Sequence, residues 1–528
     1  MQTSDWLFRV NGRPFFPLGG QVHNSSAYTL QGLDRAWKAL EAIHANTAEI
    51  PVYWDVVEPR EGVFDFSRLD PLLEAARQRG LRLILLWFGT WKNGMMKYAP
   101  EWVKDNPQRF RRVITPDGSA LSVLSPHCIE TREADRSAFC AFIQYLKARD
   151  EHDHTVIAVQ VENEPGTLGS DRDYSPEAEA LFREAVPEAL FQAMTQAPQS
   201  RLAQFWQDCG KVRGDWPTAF GVHASELFGA WHIASYIDSI AEAGKQLYAI
   251  PMYVNAWPQE QRWRVPGANY PSGGATRNTI DLWKCAAPHL DVIGLDTYIV
   301  NNTDYQEVCA VYNRPDNPLF IPESARHTMN ALNMMNALAE YQAIGYAVFG
   351  VESLIDAEGA VLPDMVPLAN SFKSVRAALP LLIQYRGQVH AVIEAEYRTE
   401  QFLDLGEYVA LIQFGNADPT LHMLDYAHTA TTERGRGLII KAGEREFYLV
   451  GGAYRALFKK KGDSRQLLAN ATANDYLFVR LANYRRVEEG QFDSDERWTL
   501  TKIRNGDETD HGIWVQPDVG VVHVVLGD

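Results

Sequence analysis

TVIAVQVENEPG, residues 155–166, is apolar at almost every position until it stops at a pair of carboxylates around an Asn. A strand with one wet face alternates apolar and polar residues. A run without alternation belongs to a strand buried on both faces, as in a parallel sheet covered by helices. Runs of similar length recur at 15–20, 46–52, 82–88, 249–255, 290–295, 318–322 and 346–351. Between them apolar residues fall three and four apart, as at Leu33, Trp37, Leu40 and Ile43, or Phe66, Leu69, Leu73 and Ala76. Gly80 is placed to end the second of these helices. Eight strand–helix repeats in one register predict an α/β fold, a (β/α)8 TIM barrel. An open doubly wound sheet would carry a glycine-rich phosphate loop after a strand, and no such loop occurs.

The segment 166–245 is too long for a single crossover helix, so helical insertions are expected after strand four, near the barrel mouth. Beyond a closing helix at about 367–385 the period changes to two. Strands are predicted at 389–396, 408–414, 438–442, 446–450, 476–482 and 521–526, an all-β, sandwich-like unit. The expected division is a barrel over 1–386 and an all-β domain over 387–528.

Composition narrows the function classes. Of 528 residues, 46% are hydrophobic and 22% charged, which excludes a disordered, collagen-like or fibrous chain. The net charge of −17 argues against nucleic acid or an anionic membrane as partner. Five scattered Cys without C-x-x-C spacing give neither a disulfide framework nor a zinc site. No basic stretch leads into an apolar one at the N-terminus, and no apolar run reaches the ~20 residues of a membrane span. A cytoplasmic location is the expectation, and a homo-oligomer is compatible with the sequence. His152-Asp153-His154 precedes a strand at the N-terminal end of the barrel and reads as a solvated loop, not a metal cluster.

In such a barrel, functional groups project from the C-terminal ends of the strands. Those ends supply Tyr53 and Trp54, then Trp91, Lys92 and Asn93, then Glu162, Asn163 and Glu164. They continue with Asn255 and Trp257, Asp296 and Tyr298, Glu323, and Glu352. Two carboxylates amid Trp, Tyr and Asn are the requirement of glycoside hydrolysis: an acid protonates the leaving oxygen and a carboxylate attacks the anomeric carbon. Glu164 and Glu323 stand 159 residues apart in sequence, on strands four and seven, across the barrel mouth. Period-two alternation sends Glu162 and Glu164 to one face, and the bend at the strand end must decide between them. Asn163 is a candidate donor to the sugar 2-hydroxyl, and Tyr298 to the nucleophile. Tyr53, Trp91, Asn93, Asn255 and Trp257 complete the candidate sugar-binding set.

These motifs resemble those of clan A glycosidases, and more narrowly the β-galactosidases of glycoside hydrolase family thirty-five. VNGRPFFPLGGQVH at 10–23 is similar to that family's opening strand. NTAEIPVYWDVVEPREGVFDFS at 46–67 is similar to its N-T-x-x-x-Y-x-x-W-x-x-x-E-P-x-x-G-x-F-D-F motif, and VQVENEPG at 159–166 to its Q-x-E-N-E-Y-G. The whole chain resembles a bacterial subgroup carrying a C-terminal β domain. The resemblance implies Glu164 as acid/base and Glu323 as nucleophile of a retaining exo-β-galactosidase. Its substrate would be an oligosaccharide or small β-galactoside, with no metal or organic cofactor. The family's A-E-W-N-G segment is replaced here by Gly89-Thr90-Trp91-Lys92-Asn93-Gly94, and its Tyr by Pro165. Those departures keep open a β-glucoside, β-arabinopyranoside or β-fucoside as substrate. A non-catalytic carbohydrate-binding barrel would lack one of the two Glu.

Overall fold

The computed structural model describes residues 6–259, 264–395, 400–414, 433–462, 482–493, 496–509 and 512–527. Eight parallel strands form the N-terminal barrel: β1 (Leu18–Gln21), β2 (Thr47–Tyr53), β3 (Arg82–Lys92), β4 (Val156–Asn163), β5 (Met252–Ala256), β6 (Val292–Thr297), β7 (Glu323–Ser324) and β8 (Tyr346–Phe349). Each neighbours the next in sequence order, and β8 returns to pair with β1. Ile321 bridges to Tyr346, with the amide of Ala347 donating to its carbonyl at 2.8 Å, so the sheet closes. β7 is shorter than its apolar run at 318–322 predicts. Pro318 and Pro322 bracket that run, and a proline has no N–H to give to a ladder.

The crossover helices are α1 (Asp34–Ala42), α2 (Leu69–Gln78), α3 (Ile129–Asp150), α4 (Ala224–Leu247), α5 (Ile280–Ala286), α6 (Asn302–Tyr312), α7 (Asn330–Ala339) and α8 (Val366–Gln384). Ahead of α4, four short helices at Pro176–Phe182, Glu188–Gln196, Arg201–Asp208 and Trp216–Phe220 occupy the long segment after β4. Inside the barrel, Ile84, Leu86, Phe88, Tyr253 and Phe320 form a packed core. A short hairpin of Phe8–Val10 with Arg13–Phe15 plugs its lower end, with Phe8 set edge-on to Phe320 at 5.3 Å. With the bottom closed by apolar packing, a ligand has access from the C-terminal mouth.

Past α8 every strand among the described residues pairs antiparallel. Strands β9 (Val389–Ile393), β10 (Glu400–Asp404), β11 (Tyr408–Phe414), β12 (Arg436–Lys441), β13 (Glu446–Gly452), β14 (Tyr454–Lys460), β15 (Tyr484–Phe492), β16 (Trp498–Ile503), β17 (Ile513–Val515) and β18 (Val521–Leu526) make two sheets. One has the order β9-β12-β13-β18-β15-β16 and the other β10-β11-β14-β17. A core of Ile412, Phe414, Ile439, Phe447, Leu449, Tyr454, Phe458, Ile513, Val522 and Val524 fills the space between them. The strand predicted at 476–482 lies outside the described residues apart from Ala482, which is not in a strand. The buried Arg436 of β12 reaches α8, donating to the Ser371 hydroxyl at 2.7 Å and to the Pro367 carbonyl at 2.9 Å.

Candidate active site

The ends of β3 and β4 do not run in step. Trp87 pairs with Val161 and Lys92 with Asn163, so β3 covers five residues while β4 covers two. On β4 the kink is absorbed by left-handed backbone at Glu162 (φ 64°) and Glu164 (φ 44°). Alternation therefore fails, and the two Glu separate. Glu162 turns outward beneath α3 and α4, where its carboxylate accepts from the backbone amides of Thr90 at 3.1 Å and Trp91 at 2.7 Å. Beside it lies Asp135 of α3, bonded by the Trp87 indole at 2.8 Å and the Thr90 hydroxyl at 2.6 Å. Burial, and then the neighbouring Asp135, push the Glu162 carboxyl well above the usual carboxylate range. Gly89 makes this possible, since a Cβ there would stand 2.6 Å from Glu162 Oε1 and 2.8 Å from Asp135 Oδ1.

Glu164 turns inward. Its amide donates to Asn255 Oδ1 at 2.8 Å, and its Oε2 accepts from the Asn93 side-chain amide. Asn255 in turn donates to Asp296 Oδ2 at 2.5 Å. The side chains of Glu164 and Asp296 are themselves hydrogen-bonded, as two carboxyl groups can be when one keeps a proton. Burial, and next the charges of Glu323 and Glu164, drive the Asp296 carboxyl well above its ordinary range. Glu164 is pushed up to about 7, first by burial and second by Glu323, against the opposing pull of Lys92, Asp296 and Asn93. Glu323 opens β7, with Oε1 accepting from the Tyr298 hydroxyl and Oε2 buried without a partner among the described residues. One carboxylate oxygen from each of Glu164, Asp296 and Glu323 lies within 4.8 Å of the other two. An all-oxygen trio of this kind is a donor set for a hard divalent cation. Here the ammonium of Lys92 already acts on Glu164 and Asp296, which opposes a second positive charge.

The remaining sequence candidates divide. Asn163, Asn93, Asn255 and Tyr298 stand at this cluster, the last three bonded to it directly. Trp257, partly exposed, follows the end of β5. Two expectations are corrected. Trp91 is fully buried and packs edge-on to Tyr236 of α4 at 4.8 Å, on the outer side of the sheet, because the β3 bulge rotates it away from the mouth. Tyr53 is buried in a stack with Tyr28 and Tyr98, and its hydroxyl is spent on the Asn24 carbonyl at 2.7 Å and the Ala27 amide at 3.2 Å.

Two residues outside the candidate set, Lys92 and Glu49, also belong to the site. Lys92, buried at the end of β3, donates to Asn163 Oδ1 at 2.7 Å. Glu49 on β2 is buried, and its carboxyl is driven well up by burial and by Glu323. Its signal was an acid in the middle of an apolar run. Glu352, following β8, takes the His23 amide on both oxygens, at 3.2 and 3.1 Å.

A profile of glycoside hydrolase family 42, described as beta-galactosidase, matches residues 31–339, more than half of the chain. The chain belongs to that family. It is thereby a clan A glycoside hydrolase, and the match covers every barrel strand from β2 to β7 and with them the carboxylate trio. A domain of unknown function matches residues 368–516, from within α8 to just past β17. The "Beta-galactosidase" of Xanthomonas manihotis is 30% identical over 192 residues, 35% of this chain and 29% of that protein. The human "Beta-galactosidase-1-like protein 3" is 30% identical over 190 residues, 35% of this chain and 27% of that protein. The chain thus spans less than a third of the length of these curated relatives. Among solved structures, the β-galactosidase of Rahnella sp. R3 superposes with TM-score 0.49 at 16% identity, covering 72% of this chain and 58% of that one. That of Bacillus circulans sp. alkalophilus gives 0.48 at 13%, covering 69% and 56%.

Proposed function

We propose that this family 42 member is a retaining exo-β-galactosidase, with Glu323 as nucleophile and Glu164 as general acid and base. The observation that carries the reading is the approach of the two carboxyl groups to within 4.8 Å, oxygen to oxygen. Double displacement takes carboxyls about 5–5.5 Å apart, whereas inversion must leave about 6.5–9.5 Å for a water. The charges support the same division of labour. Glu164, raised to about 7, holds a proton for the leaving oxygen at neutral pH, and part of that rise comes from the charge on Glu323. Once Glu323 becomes a glycosyl ester its charge is gone, Glu164 becomes more acidic, and it can deprotonate the incoming water. Tyr298 occupies one oxygen of Glu323 and leaves Oε2 to attack. The motifs at 46–67 and 159–166 that resemble family thirty-five support the same sugar.

The test is the first sugar released from an aryl β-galactoside, followed by proton NMR. Retention gives the β anomer first, and the α anomer first would overturn the mechanism. Glu164→Ala should keep the first step for activated aryl leaving groups and be rescued by azide. Glu323→Ala should abolish turnover.

A second reading, another β-pyranoside, is favoured by the β3 segment. Thr90 turns its hydroxyl outward to Asp135 and Tyr236, so the pocket gains no carboxylate there and receives Lys92 instead. A panel of aryl glycosides discriminates, since preference for an equatorial 4-hydroxyl would replace galactose. The division into a catalytic barrel over 1–386 and an all-β domain over 387–528 belongs to the same proposal. Among the described residues no helix is long and apolar enough to cross a membrane.

A further inference from the structure

Lys92 is a charge where the fold does not need one. The residue is 2% exposed, and among the described residues it forms no ion pair. Its ammonium has the Phe88 ring 5.0 Å away and one acceptor, Asn163 Oδ1, at 2.7 Å. Burying an ammonium with so few partners is costly, so its location asks for a reason. Asn163 supplies one. A side-chain amide can present either end, but a lysine only donates, so the carbonyl end of Asn163 must face Lys92. The amide nitrogen is thereby turned the other way, and it is buried with no partner among the described residues. Such a donor, one residue from Glu164, is unsatisfied until a ligand brings an acceptor.

We propose that Lys92 is a positioning residue that locks the Asn163 amide so that its N–H, and not its carbonyl, meets the 2-hydroxyl of the bound sugar. This rests on the glycosidase reading above and adds a residue to it. The contact to the 2-hydroxyl strengthens in the oxocarbenium-like transition state, so the lock acts on kcat more than on KM. The ammonium serves a second purpose in the same place, since its charge opposes the rise in Glu164 and Asp296.

The experiment compares an aryl β-galactoside with its 2-deoxy analogue in wild type, Lys92→Met, Asn163→Ala and the double variant. Lys92→Met should lose about 10- to 100-fold in kcat/KM on the parent, mostly in kcat, and less than about threefold on the 2-deoxy substrate. The double variant should lose no more than Asn163→Ala alone, because the lysine has nothing left to orient. Lys92→Gln, whose amide can donate to the same oxygen but can also turn over and accept, should recover only part of the rate. The alkaline limb of the Lys92→Met profile should move to higher pH. Equal losses on the two substrates, or multiplicative losses in the double variant, would overturn the proposal while leaving the glycosidase reading intact. Should another aryl glycoside prove the substrate, the same comparison runs with its 2-deoxy form. Turnover of no glycoside at all would overturn both.

Discussion

Tyr298 donates its hydroxyl proton to one oxygen of Glu323, while the other oxygen is buried with no partner among the described residues. The carboxylate is therefore held by one end, and the free end is the one a sugar carbon would meet. A hydrogen bond to a charged group is worth about 1.5–3 kcal/mol. Tyr298→Phe should lower kcat/KM on aryl glycosides by roughly 10- to 100-fold. Tyr298 is 45% exposed but its acceptor Glu323 is buried, so the melting temperature should fall only modestly beside the loss of rate. Wild-type kinetics in this variant would take Tyr298 out of the mechanism.

Asn93 and Glu323 act on Glu164 in opposite directions, which makes the alkaline limb of the pH profile a readout. With Glu164 raised to about 7, kcat/KM should begin to fall near neutral pH as the acid loses its proton. Asn93 bonds to Glu164 Oε2 and favours the ionised form. Asn93→Leu removes that preference, so the limb should move up, by about half a unit to one unit. Glu323→Gln removes a negative neighbour, so in that inactive variant Glu164 should titrate lower, as followed by carbon-13 NMR of labelled Glu. Movement in the reverse direction in either variant would contradict the electrostatics.

What the chain disclosed in advance follows from what burial does to residue type. The barrel strands were legible because both faces are apolar, and the carboxylates because charges end those runs. The sandwich strands β10, β15 and β16 left little trace; β16 is exposed along nearly its whole length, so no hydrophobic alternation marks it. Glu162 and Glu164 look alike in the triplet, and only the left-handed backbone at each sends them to opposite sides of the wall. Trp91 was misplaced for the same reason, because the β3 bulge resets which residues face inward. For Glu49 an acid inside an apolar run is the one mark of burial, whereas Lys92, at the end of its strand, carries none, because a lysine there is equally at home in solvent.

The divergence of the two Glu predicts opposite phenotypes. Glu162 satisfies two backbone amides that no other acceptor reaches, those of Thr90 and Trp91, apart from a weaker 3.3 Å approach of Asp135 to Thr90. Glu162→Ala leaves a buried donor unpaired at a cost of about 1–3 kcal/mol. It should lower the unfolding temperature and weaken activity only through the loosened β3 end. Glu164→Gln should keep or raise stability, because a neutral amide replaces a carboxyl raised by burial beside Glu323, and should abolish turnover of substrates with poor leaving groups. Calorimetry on the two variants separates the roles, and equal unfolding temperatures would contradict the assignment.

Glu49 gives the last prediction, a dependence of stability on pH. Buried and close enough to Glu323 to be repelled by it, its carboxyl is held well above the ordinary value of 4.5 in the folded chain. Between that value and the folded one, the native state keeps a proton that the unfolded state has released. Stability falls with pH wherever the native state binds more protons, so this group favours folding most below pH 4.5 and loses that contribution as the pH climbs toward its folded value. Glu49→Gln carries no such proton. Its melting temperature, relative to wild type, should therefore rise steadily from pH 5 to pH 8, whatever the offset at pH 5. A constant difference across that range would mean that Glu49 is ionised inside the barrel, with a cationic partner to match.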